Sequence, residues 1–278
     1  MKKHEALEAM RTAMKIRGYS WNTGRNYVFM ADRFLTYCKT AGPGNTPEGY
    51  VNGFTMLMDR QDKNPTTINL YRAAIKFLFE HVFHRPLNIK ESPNMKTAKV
   101  LPDIFSIEQM RDIIGGTINP KQKLYLSLVY GCGLRCGESI RIRVGDLKRD
   151  RGLLYLRGKG NRDRVVSIAD IPAHMIDACT HGKGAEDWLF DSQAREHHIS
   201  KRTASFYLEH ACQRAGVGGR HNLHKLRHSA AGHFLEQGTD IRFIQEILGH
   251  KDIRTTLIYT KINQEHIRKI TSPIAKVL

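Results

Sequence analysis

The chain is poor in acid, has no long apolar run, and its cysteines do not pair by spacing. Asp and Glu number 27 against 44 Lys and Arg, a formal net charge of +17 over 278 residues. An excess of this size favours a polyanionic partner, and counterion release puts nucleic acid first. Composition alone leaves open a plainer basic protein of the ribosomal or membrane-surface kind. No apolar run approaches the roughly 18 residues that span a bilayer. The opening stretch MKKHEALEAMRTAMKIRG is amphipathic rather than a charged head followed by an apolar segment, so the expectation is a cytoplasmic chain that does not enter a membrane. The five cysteines form an odd set without a CxxC pair, which argues against a disulfide framework or a cysteine zinc site. Cys132 and Cys136, four apart beside a glycine-rich turn, make a weak case for a metal or redox pair.

An apolar share of 41% is enough to fill packed cores. Over residues 1–85 apolar positions recur at three and four, as in Leu7, Met10 and Met14, then Tyr27, Met30, Ala31, Phe34 and Leu35. Tyr50, Phe54, Leu57 and Met58 mark a third stripe. Ile68, Ile75, Leu78, Phe79 and Val82 mark a fourth, opened by Asn64 as N-cap and Pro65 at the first helical position. The pattern predicts a small domain of four helices. It fails over 86–103, where three prolines and several lysines interrupt any period, as in a linker between domains. From 104 to 278 helices resume, with Ser106 and Gln109 spaced as a capping box and Asn119-Pro120 opening another helix. Leu153 to Arg157 and Arg164 to Ile168 flank the turn GKGNRD and predict a hairpin. Further helices are expected around 200–215, 224–236, 241–248 and 255–259, which makes the fold mainly α with a small β-sheet.

Four stretches are dense in cations, histidine and glycine. In GCGLRCGES, Arg135 sits among three glycines with Glu138 three residues on, near enough to orient a guanidinium. In RGKGNRDR, Lys159 stands at the hairpin tip between Arg157, Arg162 and Arg164. In HKLRHS, helical spacing puts His224, Arg227 and His228 on one face, next to Lys225. In LGHKDIRTTLIYT, His250 follows a glycine and Tyr259 comes nine residues later. Each has a plain reading as well: a solvated arginine, a charged hairpin tip, a buried tyrosine with its hydroxyl satisfied. The i, i+4 histidines also have zinc-ligand spacing, although no acid accompanies them and Arg227 would set a cation beside the ion.

In this order the stretches resemble the tyrosine recombinase, or phage integrase, family, especially its Xer-like and integron-integrase-like members. GLRCGE matches GLRxxE, HKLRH matches HxLRH, LGH and the tyrosine context IYT match as well, and Lys159 takes the place of the hairpin lysine. The motifs span about residues 101–270; the amino-terminal helices resemble the family's core-binding, SAM-like domain in architecture alone. The resemblance implies two domains forming a C-shaped clamp on double-stranded DNA. It also implies the catalytic set Arg135, Lys159, His224, Arg227, His250 and Tyr259, supported by Glu138 and His228, with Arg157, Arg162, Arg164 and Lys225 as DNA contacts. One departure lies in Ala230 and Gly232, where relatives carry bulkier residues; a mid-helix glycine costs about 1 kcal/mol.

In the implied reaction the guanidiniums meet the charge of the pentacoordinate phosphorane, and His224 and His250 add donors. Clustered cations favour the phenolate of Tyr259, which attacks to give a 3′-phosphotyrosine and a free 5′-hydroxyl, with Lys159 protonating the leaving oxygen. Another 5′-hydroxyl can reverse the step, so neither ATP nor a metal cofactor is needed. The resemblance further implies a homo-tetramer on two DNA sites, joined by a tail at about 262–278, and leaves room for a partner recombinase or a DNA-bending protein. The rivals are a type IB topoisomerase, a DNA-binding regulator with a retired site and, more distantly, a metal-dependent nuclease.

Overall fold

The computed structural model describes residues 1–42, 46–88, 94–96, 102–157, 163–194, 196–250 and 252–261. The chain divides into two compact units, Met1–Lys99 and Val100–Leu278.

In the first unit, α1 (Lys3–Ile16), α2 (Trp21–Thr40), α3 (Pro47–Arg60) and α4 (Pro65–His81) follow the four predicted stripes. Three begin on side-chain caps: Ser20 accepts from the Thr23 amide, Thr46 from Gly49 and Asn64 from Thr66. Their apolar faces close on Met10, Phe34, Phe54, Ile68, Ile75 and Leu78. Leu57, expected on the third stripe, is turned outward. Met95 packs on this core and exchanges two hydrogen bonds with Asn69, at 2.8 and 2.9 Å, so part of the segment read as linker belongs to the first unit.

The second unit opens with α5 (Ile107–Gly115), which carries the reciprocal Ser106–Gln109 capping box, and α6 (Pro120–Gly131), capped by Asn119. Every residue from Leu124 to Val129 is buried, making α6 the helix around which the unit packs. Then come the single turn α7 (Cys136–Ser139) and an antiparallel sheet in the order β1 (Leu147–Lys148), β2 (Leu153–Leu156), β3 (Arg164–Ser167). Leu153 faces Ser167 and Leu156 faces Arg164 across the hairpin. The helices α8 (Ala173–Thr180), α9 (Lys201–Arg214), α10 (Leu223–Glu236) and α11 (Ile241–Leu248) complete it.

Strand β1 and helix α8 have no counterpart in the sequence reading. A two-residue strand exists only through its partner, and α8 starts at Pro172 without a side-chain cap. The helix expected over 255–259 is instead a pair of 3-10 turns, Ile253–Thr255 and Tyr259–Lys261. Its β-branched residues and short length cannot repay α-helix nucleation.

Candidate active site

Helix α10 carries the densest group of chemistry-bearing side chains. Asn222 caps it by accepting from the Lys225 amide at 3.0 Å, which points His224, Arg227 and His228 from the first two turns. Ser229 pins the helix to α5's approach, accepting from the Phe105 amide at 2.9 Å and donating to the Lys225 carbonyl. The small residues that depart from the family pattern fit this setting. A Cβ on Gly232 would meet Ile104 at 3.2 Å, so glycine lets residues before α5 pack flush on α10.

Arg227 is 1% exposed, yet it is held by backbone rather than by carboxylate. Its Nη1 donates to the Gly133 carbonyl at 2.7 Å and its Nη2 to the Leu248 carbonyl at 2.6 Å. The next carbonyl, Gly249, accepts from Arg135 Nη2 at 2.8 Å, and the preceding one, Ile247, accepts from Arg164 Nε at 2.8 Å. Three successive carbonyls at the C-terminus of α11 thus hold three guanidiniums. These carbonyls lack helical partners and sit at the negative end of the helix dipole, so cations suit them. Gly249 makes the arrangement possible: it sits at φ 61°, and a Cβ there would lie 3.2 Å from Arg164 Cδ. Gly133, at φ 59°, is equally constrained, because a Cβ would come within 2.7 Å of Leu248.

Glu138 is the anion at the centre. Its carboxylate takes a two-pronged pair of bonds from Arg164, at 2.8 and 2.5 Å, and accepts from the Arg135 amide at 2.5 Å. The Arg135 and Arg227 guanidiniums lie farther off, each at 3.8 Å. Burial pushes the Glu138 carboxyl up, but the Arg164 fork outweighs it and holds the group below the usual carboxylate range. Glu138 therefore supports Arg135 mainly through its backbone, not through the side-chain pairing expected from spacing.

Two of the residues expected to contact DNA have partners within the DNA-free protein. Arg164 has a side chain only 9% exposed and braces the site through Glu138 and the Ile247 carbonyl, while lining the cleft described below. Lys225 donates to Asp103 at 2.6 Å and lies 4.4 Å over the Phe105 ring. Arg157 does remain 73% exposed, 3.5 Å from Asp146. Lys159 and Arg162 lie outside the described residues, as does the tail over 262–278.

Tyr259 is 2% exposed and packs with Ala231, Ile244 and Leu248. Its hydroxyl is 2.8 Å from His228 Nδ1. His224 packs edge-on against the His228 ring at 4.2 Å between centroids, and His250 Nδ1 pairs with Thr256 Oγ1 at 2.9 Å. Burial, then neighbouring cations and imidazoles, pulls His228 and His250 down to about 4. His224, though solvent-exposed, is lowered by partial desolvation and then by Arg227 and Arg135. Desolvation also draws Arg227 down to about 9, which leaves it charged at pH 7. For Tyr259 burial raises the phenol pKa and outweighs the opposing pull of Arg227 and Arg135. In the DNA-free protein burial thus opposes the phenolate that the clustered cations favour: the same burial that gathers the cations desolvates the anion.

Beside these groups opens a cleft of about 1150 Å³ lined by Arg135 and His250 and also by Arg141, Arg143, Arg242 and Trp188. These last four escaped the sequence reading. The alternation RIR over 141–143 was the available signal, since it buries Ile142 and leaves its neighbours for the cleft; Arg143 stacks over Trp188 at 4.3 Å. Among the described residues no three His, Cys, Asp or Glu side chains converge as a metal site.

Residues 102–266 match the family described as Phage integrase family, and residues 6–89 match Phage integrase, N-terminal SAM-like domain. The chain is 34% identical over 275 residues to tyrosine recombinase XerA of Thermococcus kodakarensis, covering 96% of this chain and 94% of that one. It is 29% identical over 272 residues to tyrosine recombinase XerD of Oceanobacillus iheyensis, with 91% of each covered. In fold it resembles the XerH recombinase in a post-cleavage complex with a palindromic difH substrate, with a TM-score of 0.74 and 19% identity over 95% of this chain and 83% of that one. A lambda integrase dimer on a COC′ core site gives a TM-score of 0.75 at 20% identity, covering 97% of this chain and 79% of that one.

Proposed function

The chain belongs to the phage integrase family, and on that premise we propose that it is a site-specific DNA recombinase that cuts and rejoins strands through a phosphotyrosine at Tyr259. The observation that carries this reading is the trio of guanidiniums on the C-terminal carbonyls of α11, two of which, Arg135 and Arg227, lie near enough to Tyr259 to act on its phenol. Glu138 pairs closely with Arg164 alone, and backbone carbonyls position Arg135 and Arg227 without a close carboxylate partner. Their charge stays available to a scissile phosphate, whose non-bridging oxygens gather charge as the phosphorane forms.

In the proposed reaction DNA lies along the cleft, and Arg135, Arg227 and the donors of His224 and His250 hold the phosphate. Tyr259 attacks, the 5′-oxygen leaves with a proton from Lys159, and a 5′-hydroxyl from a second strand reverses the step. The enzyme would work as a homo-tetramer on two double-stranded sites, alone or with a partner recombinase or bending protein. The helices of the first unit would supply the second DNA-binding surface.

Nicked suicide duplexes tiling the DNA beside its own gene test this. The wild-type chain should give a denaturation-resistant adduct in the presence of EDTA, mapping to Tyr259. Tyr259→Phe should bind the same duplex without an adduct, and an adduct from that variant would mean the nucleophile is another residue. Arg227→Ala should lose far more cleavage than affinity; a uniform fall in affinity with normal cleavage would make Arg227 a backbone anchor only.

A further inference from the structure

We infer that His228 takes the proton from Tyr259 as the phenol attacks, which makes it the catalytic base of strand cleavage; the assignment rests on the recombinase reading above. It begins from the 2.8 Å contact between Tyr259 Oη and His228 Nδ1. With Tyr259 almost wholly buried, a phenol proton aimed elsewhere would lose its hydrogen bond in an apolar setting of Ala231, Ile244 and Leu248. The phenol therefore donates and Nδ1 accepts, which puts the ring's own proton on Nε2. An imidazole that already receives the hydroxyl hydrogen is poised to keep it.

The other two imidazoles are otherwise engaged. His250 gives Nδ1 to Thr256, and His224 meets the His228 ring edge-on instead of meeting the phenol. His228 and His224 are both on α10 one turn apart, and Tyr259 comes to them from its own 3-10 turn. The charged and titratable groups around His228 are His224, Arg227, Tyr259 and, from beyond α11, His250. In the free protein burial, and then His224 and Arg227, hold His228 neutral, as an acceptor must be. A phosphate docked on Arg135 and Arg227 brings negative charge to the same place and favours the imidazolium.

The step balances without another reactant. The Oη–H bond breaks as Nδ1–H forms, Oη–P forms as P–O5′ breaks, and O5′ takes a proton from Lys159. In rejoining, the His228 imidazolium returns its proton to Tyr259 Oη as the phosphotyrosine is displaced. A defect at His228 must therefore slow both directions.

Adduct formation on the nicked duplexes, measured in a single turnover, tests the assignment through His228→Asn. Asparagine can place an acceptor oxygen near the Nδ1 position but cannot hold the proton. We expect its cleavage rate to fall by about 100-fold or more at pH 7, with DNA affinity within about two-fold of wild type. The rate should climb with pH as the phenol ionises unaided. Installing 3,5-difluorotyrosine at 259, a more acidic phenol, should restore about ten-fold or more in the His228→Asn background and little in the wild-type one. Cleavage by His228→Asn within about three-fold of wild type, or an equal effect of fluorination in both backgrounds, would overturn the assignment alone. A wild-type chain that forms no adduct on any duplex would overturn the recombinase reading and this assignment with it.

Discussion

Arg227 shows why a buried cation can be kept for function. It is desolvated, its two backbone acceptors are neutral, and its closest carboxylate is 3.8 Å away. A residue selected for stability alone would be paired more tightly or replaced by an apolar side chain. The imidazoles beside it carry a matching cost in acid. His228 and His250 are pulled to about 4 in the folded chain, whereas in the unfolded chain they titrate near about 6.5. Above the unfolded value neither state binds these protons; below it the unfolded chain takes them up first. Their neutral burial therefore costs stability as pH falls from about 6.5 towards 4, and the loss reverses as pH rises. Thermal melting should show a drop between pH 7 and pH 5, and His250→Gln should shrink it. Equal drops in variant and wild type would show that His250 is not among the groups responsible.

At the scale of the element, the C-terminus of α11 does with backbone carbonyls what a carboxylate cage does elsewhere: it fixes three cations in a set geometry. The device depends on Gly249, which ends the helix in the left-handed region and keeps the space beside Arg164 and Arg135 open. Gly238 is an internal control, since it has φ 85° but nothing within 4 Å of a Cβ. Alanine at either position should cost about 1–2 kcal/mol of stability from the backbone alone. Only Gly249→Ala should also reduce strand cleavage, by at least about ten-fold, because only there does the methyl group meet the arginines. Melting and single-turnover cleavage of the pair separate the two effects; normal cleavage by Gly249→Ala would mean the carbonyl cradle tolerates a shift.

For the whole molecule, two separate cores predict two folding units. The first closes on Phe34, Phe54 and Leu78 and the second on Tyr125, Leu128 and Phe190, and no residue is shared between the two clusters. A fragment of residues 1–99 should therefore be helical by circular dichroism and melt in a single cooperative transition. A broad, non-cooperative melt would mean that this core needs the rest of the chain. The excess of positive charge belongs to this scale too, as a term that favours DNA of any sequence and weakens with salt.

Much of this was open to reading in the chain itself. The helices of the first unit follow from period and from caps such as Asn64-Pro65, because both signals are local. The motifs around Arg135, Arg227, His250 and Tyr259 are short and ordered, so they point to a family before any coordinate is known. Tertiary structure alone decided which partners hold the cations. Arg164 and Lys225 read as surface charge, yet one turns to Glu138 and Ile247 and the other to Asp103, partners 26, 83 and 122 residues away. The balance of influences on the Tyr259 phenol depends on tertiary structure in the same way. Spacing shows which charges are near, whereas desolvation depends on the apolar side chains that several distant segments bring around the hydroxyl.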